Sequence, residues 1–131
     1  MNRQLLSGKY ILYVEDDDFL ADLIGRKLGL EGALVVHAGS AHLAFEKMET
    51  ETFDLLLLDI LLPGMTGLQF LEEMNKKYDL TKIPVVAFSN LSLPEDIKRA
   101  KELGVDTYLV KAHVSPDEIA RALKEVIEKG K

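Results

Sequence analysis

The 131-residue sequence predicts an α/β domain: a five-stranded parallel sheet with five helices packed on its two faces. Three observations predict it. Short apolar runs recur five times, each followed by a segment with apolar residues three and four apart, the alternation of strand and helix that builds parallel sheets. Leu55-Leu56-Leu57-Leu58 is apolar at every position, as a strand covered on both faces requires. No long structureless stretch, internal repeat or low-complexity tract interrupts the series, so residues 1–131 read as one domain. Right-handed crossovers leave few topologies for five such units, and the expected strand order is 2-1-3-4-5, the flavodoxin-like doubly wound arrangement.

Each element has its own signal. Tyr10-Ile11-Leu12-Tyr13-Val14 is an apolar, β-branched and aromatic run that ends on Glu15-Asp16-Asp17-Asp18. Acids there suit the positive end of a helix, which Leu20, Leu23, Ile24 and Leu28 continue and Gly29 and Gly32 close. Leu34-Val35-Val36-His37 is the second strand, and Ser40 caps a helix carrying Leu43, Ala44 and Met48. The leucine strand ends on Asp59. Pro63, Gly64 and Gly67 then turn the chain into a helix with Leu68, Leu71 and Met74 or Asn75 on its apolar stripe, ending near Tyr78. Pro84-Val85-Val86-Ala87-Phe88 is the fourth strand and ends on Ser89. Pro94-Glu95-Asp96 opens a helix that runs to Leu103 and stops at Gly104. Thr107-Tyr108-Leu109-Val110 is the fifth strand and ends on Lys111. Ser115-Pro116-Asp117-Glu118 opens the last helix, whose stripe is Ile119, Leu123 and Val126 or Ile127.

Composition narrows the function. A net charge of −6 argues against a nucleic-acid or anionic-membrane surface, and Lys124, Lys129 and Lys131 are explained by the negative end of a helix. The absence of cysteine removes disulfides, thiolate metal sites and thiol catalysis together. Arg3, Leu5 and Leu6 are followed by Ser7-Gly8-Lys9, so no signal-peptide core develops, and no window reaches transmembrane length. A cytoplasmic protein is expected. His37, His42 and His113 lack zinc spacing and read as surface or packing residues.

In an open parallel sheet the ligand crevice lies beyond the carboxyl ends of the strands, at the switch point between strands one and three. Those strands end in Glu15-Asp16-Asp17 and Asp59, and their neighbours end in Ser89 and Lys111. Taken singly, Asp59 reads as a turn opener, the acids as helix caps and Tyr108 as a core aromatic. Together they put carboxylates, a hydroxyl and an ammonium at one edge. Like charges about 4 Å apart repel by roughly 4 kcal/mol at an effective dielectric of 20, so such a cluster must hold a proton or a cation. All-oxygen donors favour Mg2+. A carboxylate can also be the nucleophile in phosphoryl transfer, and Asp59, nearest the middle of the sheet, is the candidate.

With these residues in this order, the chain resembles the receiver domains of two-component response regulators over essentially its whole length, in the stand-alone form typical of chemotaxis regulators. The match is carried by Glu15-Asp16, Asp59 with Pro63 and Gly67, Ser89, Lys111, and Tyr108 three residues before that lysine. The resemblance implies that Asp59 accepts a phosphoryl group from a sensor histidine kinase or phosphotransfer protein. It implies Mg2+ bound by Asp16, Asp59 and the Leu61 carbonyl with Glu15 assisting through water, and Ser89 and Lys111 contacting the phosphoryl group. Ser89 and Tyr108 would report its presence to a face of the fourth helix, fifth strand and fifth helix, where an output protein binds. The implied state is a monomer or a weak dimer formed on phosphorylation, although no residue pattern encodes the pairing. Such a domain catalyses only its own phosphorylation and dephosphorylation.

Two departures stand out. The family usually has a proline after the lysine, joined by a cis bond that aims the lysine inward; here the residue is Ala112, and a cis Lys111–Ala112 bond is the expectation. Leu61 and Leu91 occupy positions that are often polar in the family, which predicts slow self-dephosphorylation, while Leu91 and Leu93 also read as loop residues tucked on the core or as partner contacts. Other functions fit less well. A Mg2+-dependent phosphohydrolase would want its nucleophile on strand one, and a flavin carrier would need a phosphate loop where four acids stand. A scaffold that keeps the fold without being phosphorylated is the remaining alternative, opposed by Asp59 and Lys111.

Overall fold

Period-two alternation along the strands divides the core into two layers. A computed structural model describes residues 4–79 and 82–130. Its strands are β1 (Tyr10–Val14), β2 (Leu34–Ala38), β3 (Leu55–Leu58), β4 (Val85–Ser89) and β5 (Thr107–Val110), all parallel in the order 2-1-3-4-5. The connecting helices are α1 (Asp18–Leu30), α2 (Ala41–Thr50), α3 (Gly67–Lys77), α4 (Pro94–Glu102) and α5 (Pro116–Lys129). Leu12, Val14, Leu56, Leu58, Val85 and Ala87 face α2, α3 and α4, where Ala44, Phe70, Leu71, Met74 and Ala100 meet them. Their neighbours Ile11, Tyr13, Leu55, Leu57, Val86 and Phe88 face α1 and α5, against Ile24, Leu28, Ile119 and Leu123. All four β3 leucines are therefore buried, two in each layer.

Helix starts follow their caps. Asp17, Ser40, Thr66 and Ser115 each accept a backbone N–H of the first turn, and Thr66–Gln69 and Ser115–Glu118 form reciprocal capping boxes. The stripe of α1 differs from the expected one. Ala21, Ile24 and Leu28 are buried, whereas Leu23 is half exposed, because it lies a further 100° round the helix from Ile24, off the buried stripe. Leu43 on α2 is likewise exposed. Gly29 lies inside α1, and Gly32, at φ +92°, makes the exit instead. Lys131 and Arg3 lie outside the described residues. No described helix is long and apolar enough to cross a membrane.

The segment before β1 is part of the fold. Leu6 is fully buried in the α1/α5 layer, its N–H donates to the Glu31 carbonyl at 2.8 Å, and Leu5 N–H donates to Glu31 Oε1 at 3.1 Å. The Leu5 N–H, and then the Lys27 ammonium 3.0 Å away, hold the Glu31 carboxyl below its usual range. A carboxyl with a depressed folded pKa contributes stability above its unfolded value and loses it as pH falls through the folded one. Lowering the pH from 7 to about 3 is thus expected to release Leu5, so that its amide resonance moves toward the random-coil position while β3 amides stay fixed. A Leu5 resonance unmoved by acid would count against this tether.

Candidate functional site

The sheet ladder continues one residue past the strands at the switch point. Glu15 N–H donates to the Ala38 carbonyl and Asp59 N–H to the Val14 carbonyl, both at 3.0 Å, so the first acids after β1 and β3 are held by backbone before any side chain acts. Both are buried: the Glu15 and Asp59 side chains are 1% and 4% exposed. Asp16 is exposed at the rim, yet one oxygen from each of Glu15, Asp16 and Asp59 lies within 4.8 Å of the others.

Lys111 answers this charge. It follows β5, and its Nζ lies 2.8 Å from both Glu15 Oε1 and Asp59 Oδ2. Its ammonium also sits 5.5 Å from the Phe88 ring centroid, within cation–π range. Burial pulls the Lys111 pKa down, but hydrogen bonds and charge from Asp59 and Glu15 outweigh it, and the net shift is upward. Burial pushes the Glu15 carboxyl up, with Lys111 opposing. The remaining carboxylate oxygens are engaged too. Leu61 N–H donates to Asp59 Oδ1 at 2.9 Å, Asp17 N–H to Glu15 Oε2 at 3.2 Å, and the Tyr13 hydroxyl to Glu15 Oε1 at 3.3 Å.

Gly67 sets how closely α3 approaches this edge. Its N–H donates to the Ile60 carbonyl at 2.8 Å, and a Cβ there would lie 2.5 Å from Ile60 Cα and 2.7 Å from the Asp59 carbonyl oxygen. Ser89, fully buried at the end of β4, accepts the Leu91 N–H at 3.2 Å, and the Tyr108 hydroxyl donates to the Leu91 carbonyl. Ser89 and Tyr108 thus grip the two sides of one residue. Burial raises the Tyr108 pKa, which keeps its phenol protonated as a donor. Leu91 packs against the core, while Leu61 and Leu93 remain about half exposed.

The expected cis bond is absent. Lys111–Ala112 is trans and begins a single 3₁₀ turn, Lys111–His113. A cis bond before alanine would cost about 3 kcal/mol, and the long lysine side chain reaches both acids without it.

Glu15, Asp16, Asp59 and Lys111 form one cluster, and Ser89 and Tyr108 meet at Leu91 beside it. Four participants were not singled out as site residues. Tyr13 was detectable, since residues 13 and 15 share a strand face. Phe88, His37 and Asn90 were not. His37 Nε2 lies 2.6 Å from the Glu15 carbonyl, and Asn90 Oδ1 accepts the Ala112 N–H at 3.1 Å.

Three carboxylates against one ammonium, with oxygen donors only, suit a hard divalent cation at the rim formed by Glu15, Asp16 and Asp59. The buried pair beneath supplies a fixed anionic oxygen with a cation beside it.

Comparison with known proteins converges on one family. The family model described as the response regulator receiver domain matches residues 11–124. The phosphate regulon transcriptional regulatory protein PhoB of Escherichia coli is 32% identical over 122 residues, covering 93% of this chain and 53% of that protein. The Regulator of RpoS from the same species is 37% identical over 108 residues, covering 82% and 32%. The chain spans about half the length of such curated relatives, or less. A CheY-like receiver domain structure from Methanospirillum hungatei superposes with a TM-score of 0.85 at 30% identity, covering 92% of this chain and 94% of that one.

Proposed function

Because the chain belongs to the response regulator receiver domain family, we propose that it works as a phosphorylation-controlled switch in a two-component phosphorelay, with Asp59 as the phosphoacceptor. Residues 1–131 act in this reading as a single receiver module. One observation carries the assignment: Lys111 Nζ lies 2.8 Å from both Glu15 and Asp59 at the carboxyl edge of the sheet, with Asp16 completing the acidic rim.

Glu15, Asp16, Asp59 and the Leu61 carbonyl would hold Mg2+, which when bound neutralises phosphoryl oxygens. The chain's own residues do the rest. The Asp59 N–H anchors its backbone to the Val14 carbonyl and the Leu61 N–H holds its carboxylate, whose oxygen forms the bond to phosphorus as the phosphorus–nitrogen bond of a phosphohistidine breaks. Lys111 stabilises charge on the transferring group, and the Ser89 hydroxyl reaches one of its oxygens. Drawing Ser89 toward the phosphoryl group would loosen its hold on the Leu91 N–H and shift the residue that Tyr108 grips from the other side. The fourth helix, fifth strand and fifth helix would present that change to an output protein, and a sensor histidine kinase or phosphotransfer protein would supply the phosphoryl group. The apolar side chain of Leu61, two residues past Asp59, supports slow self-dephosphorylation. The Lys111–Asp59 pairing speaks against the scaffold alternative.

Incubation with acetyl phosphate and Mg2+, followed by intact mass measurement, tests the assignment. One phosphoryl adduct is expected on the wild type and none on Asp59→Asn or in EDTA. Decay of the adduct after donor removal is expected to quicken in Leu61→Asn. An adduct that persists in Asp59→Asn would remove Asp59 from its role.

A further inference from the structure

Ala112 has what a proline lacks, a backbone N–H. It donates to Asn90 Oδ1 at 3.1 Å, across 22 residues of sequence. Asn90 directly follows Ser89 and Ala112 comes two residues after Val110, and Ser89 and Val110 are the last register partners of β4 and β5. The bond therefore clips the two strand ends together just past the sheet. The 3₁₀ turn it holds begins with Lys111 and has no side-chain cap of its own.

We propose that Asn90 is a positioning residue for Lys111: by binding the Ala112 N–H it fixes the trans turn from which Lys111 reaches Asp59 and Glu15, in a chain that lacks the family's usual proline. The inference rests on the phosphoacceptor reading above for its consequence, though not for its geometry. Asn90 hydrogen-bonds to neither Lys111 Nζ nor the Asp59 carboxylate, so it acts through the backbone. Its amide suits the task because it accepts a hydrogen bond without adding another negative charge beside the acids and drawing the ammonium away. A lysine side chain has four rotatable carbons and reaches many places, so a fixed backbone origin is what restricts its ammonium to one.

The test combines Asn90→Ala, Ala112→Pro and the double variant, read two ways. The first reading is the rate of adduct formation with acetyl phosphate and Mg2+. The second is the ¹⁵N–¹H signal of the Lys111 ammonium in metal-free protein, sharp when its protons are held by the two carboxylates. Asn90→Ala is expected to slow adduct formation roughly threefold to tenfold, the worth of one hydrogen bond, and to broaden the ammonium signal, with an unchanged far-ultraviolet spectrum. In the Ala112→Pro background Asn90→Ala is expected to add nothing, since the N–H is already gone. If Ala112→Pro does not fold, Asn90→Ser keeps a short uncharged acceptor and Asn90→Leu removes it; the ammonium signal should survive in the first and be lost in the second. A wild-type rate and signal in Asn90→Ala, or equal slowing in both backgrounds, would overturn the proposal. A wild type that forms no adduct would instead defeat the phosphoacceptor reading, leaving the ammonium signal to decide the role of Asn90.

Discussion

Replacing Lys111 with methionine is expected to lower the melting temperature of the metal-free protein by roughly 10–20 °C at pH 7. Methionine keeps much of the side-chain volume and removes the charge. What remains is Glu15 and Asp59, both almost fully buried, without the ammonium that lies 2.8 Å from each. Breaking a buried pair by deleting one partner costs about 3–5 kcal/mol, mostly the cost of the charge left behind. The pH dependence identifies the cause. Burial already pushes the Glu15 carboxyl up, and losing Lys111 removes the main group opposing it, leaving only the Asp17 N–H. A carboxyl whose folded pKa lies above its unfolded value binds more protons folded than unfolded, so stability falls as pH rises from the ordinary glutamate range through the raised value. The variant should therefore be closest to wild type in mild acid and furthest from it at pH 8. Mg2+ should return part of the loss, because a cation that binds only the folded acids stabilises by mass action. Thermal melts across this pH range, with and without Mg2+, check all three parts. A loss of under about 3 °C, or a larger deficit at pH 5 than at pH 8, would show that the pair is not the source of stability assigned to it.

Gly67→Ala is expected to destabilise by about 3 kcal/mol and to slow phosphorylation as well. Gly67 begins α3 and is not among the glycines with positive φ, so the reason is space rather than conformation. The added methyl carbon would lie 2.5 Å from Ile60 Cα and 2.7 Å from the Asp59 carbonyl oxygen. Those are backbone atoms, which cannot swing aside as a side-chain tip can. Relief requires α3 to back away, with loss of the 2.8 Å bond from Gly67 N–H to the Ile60 carbonyl, or the segment carrying Asp59 to move. Gly25 in α1 provides the contrast, since a Cβ there meets nothing within 4 Å. Gly25→Ala should stabilise by roughly 0.5–1 kcal/mol through helix propensity alone. Chemical denaturation of both variants, paired with the acetyl phosphate rate, separates the effects. A Gly67→Ala protein as stable and as rapidly phosphorylated as Gly25→Ala would refute the steric account.

The sequence by itself determined the order of elements, the double-sided burial of the leucine strand and the residues at the strand ends. These are local properties. Four leucines in a row cannot form a half-solvated strand, Ser115-Pro116-Asp117-Glu118 satisfies a helix start from within its own first turn, and an acid at the end of an apolar run must lie where a cation can reach it. Because a parallel sheet brings all its carboxyl ends to one edge, Glu15, Asp16, Asp59, Ser89 and Lys111 could be grouped before any distance was known. The shared strand face of Tyr13 and Glu15 was also available, since period two is local.

Tertiary structure decided what depends on partners distant in sequence. How Lys111 reaches Asp59 depends on how far β5 stands from β3, with β4 between them, and the Ala112 N–H finds its acceptor on Asn90, 22 residues earlier. His37 meets the Glu15 carbonyl because β2 and β1 lie in register, and Leu23 is half exposed while Ile24 beside it in sequence is buried. Spacing along one chain encodes which way a side chain points. The distance to a group on another strand is set by the packing of every layer between them.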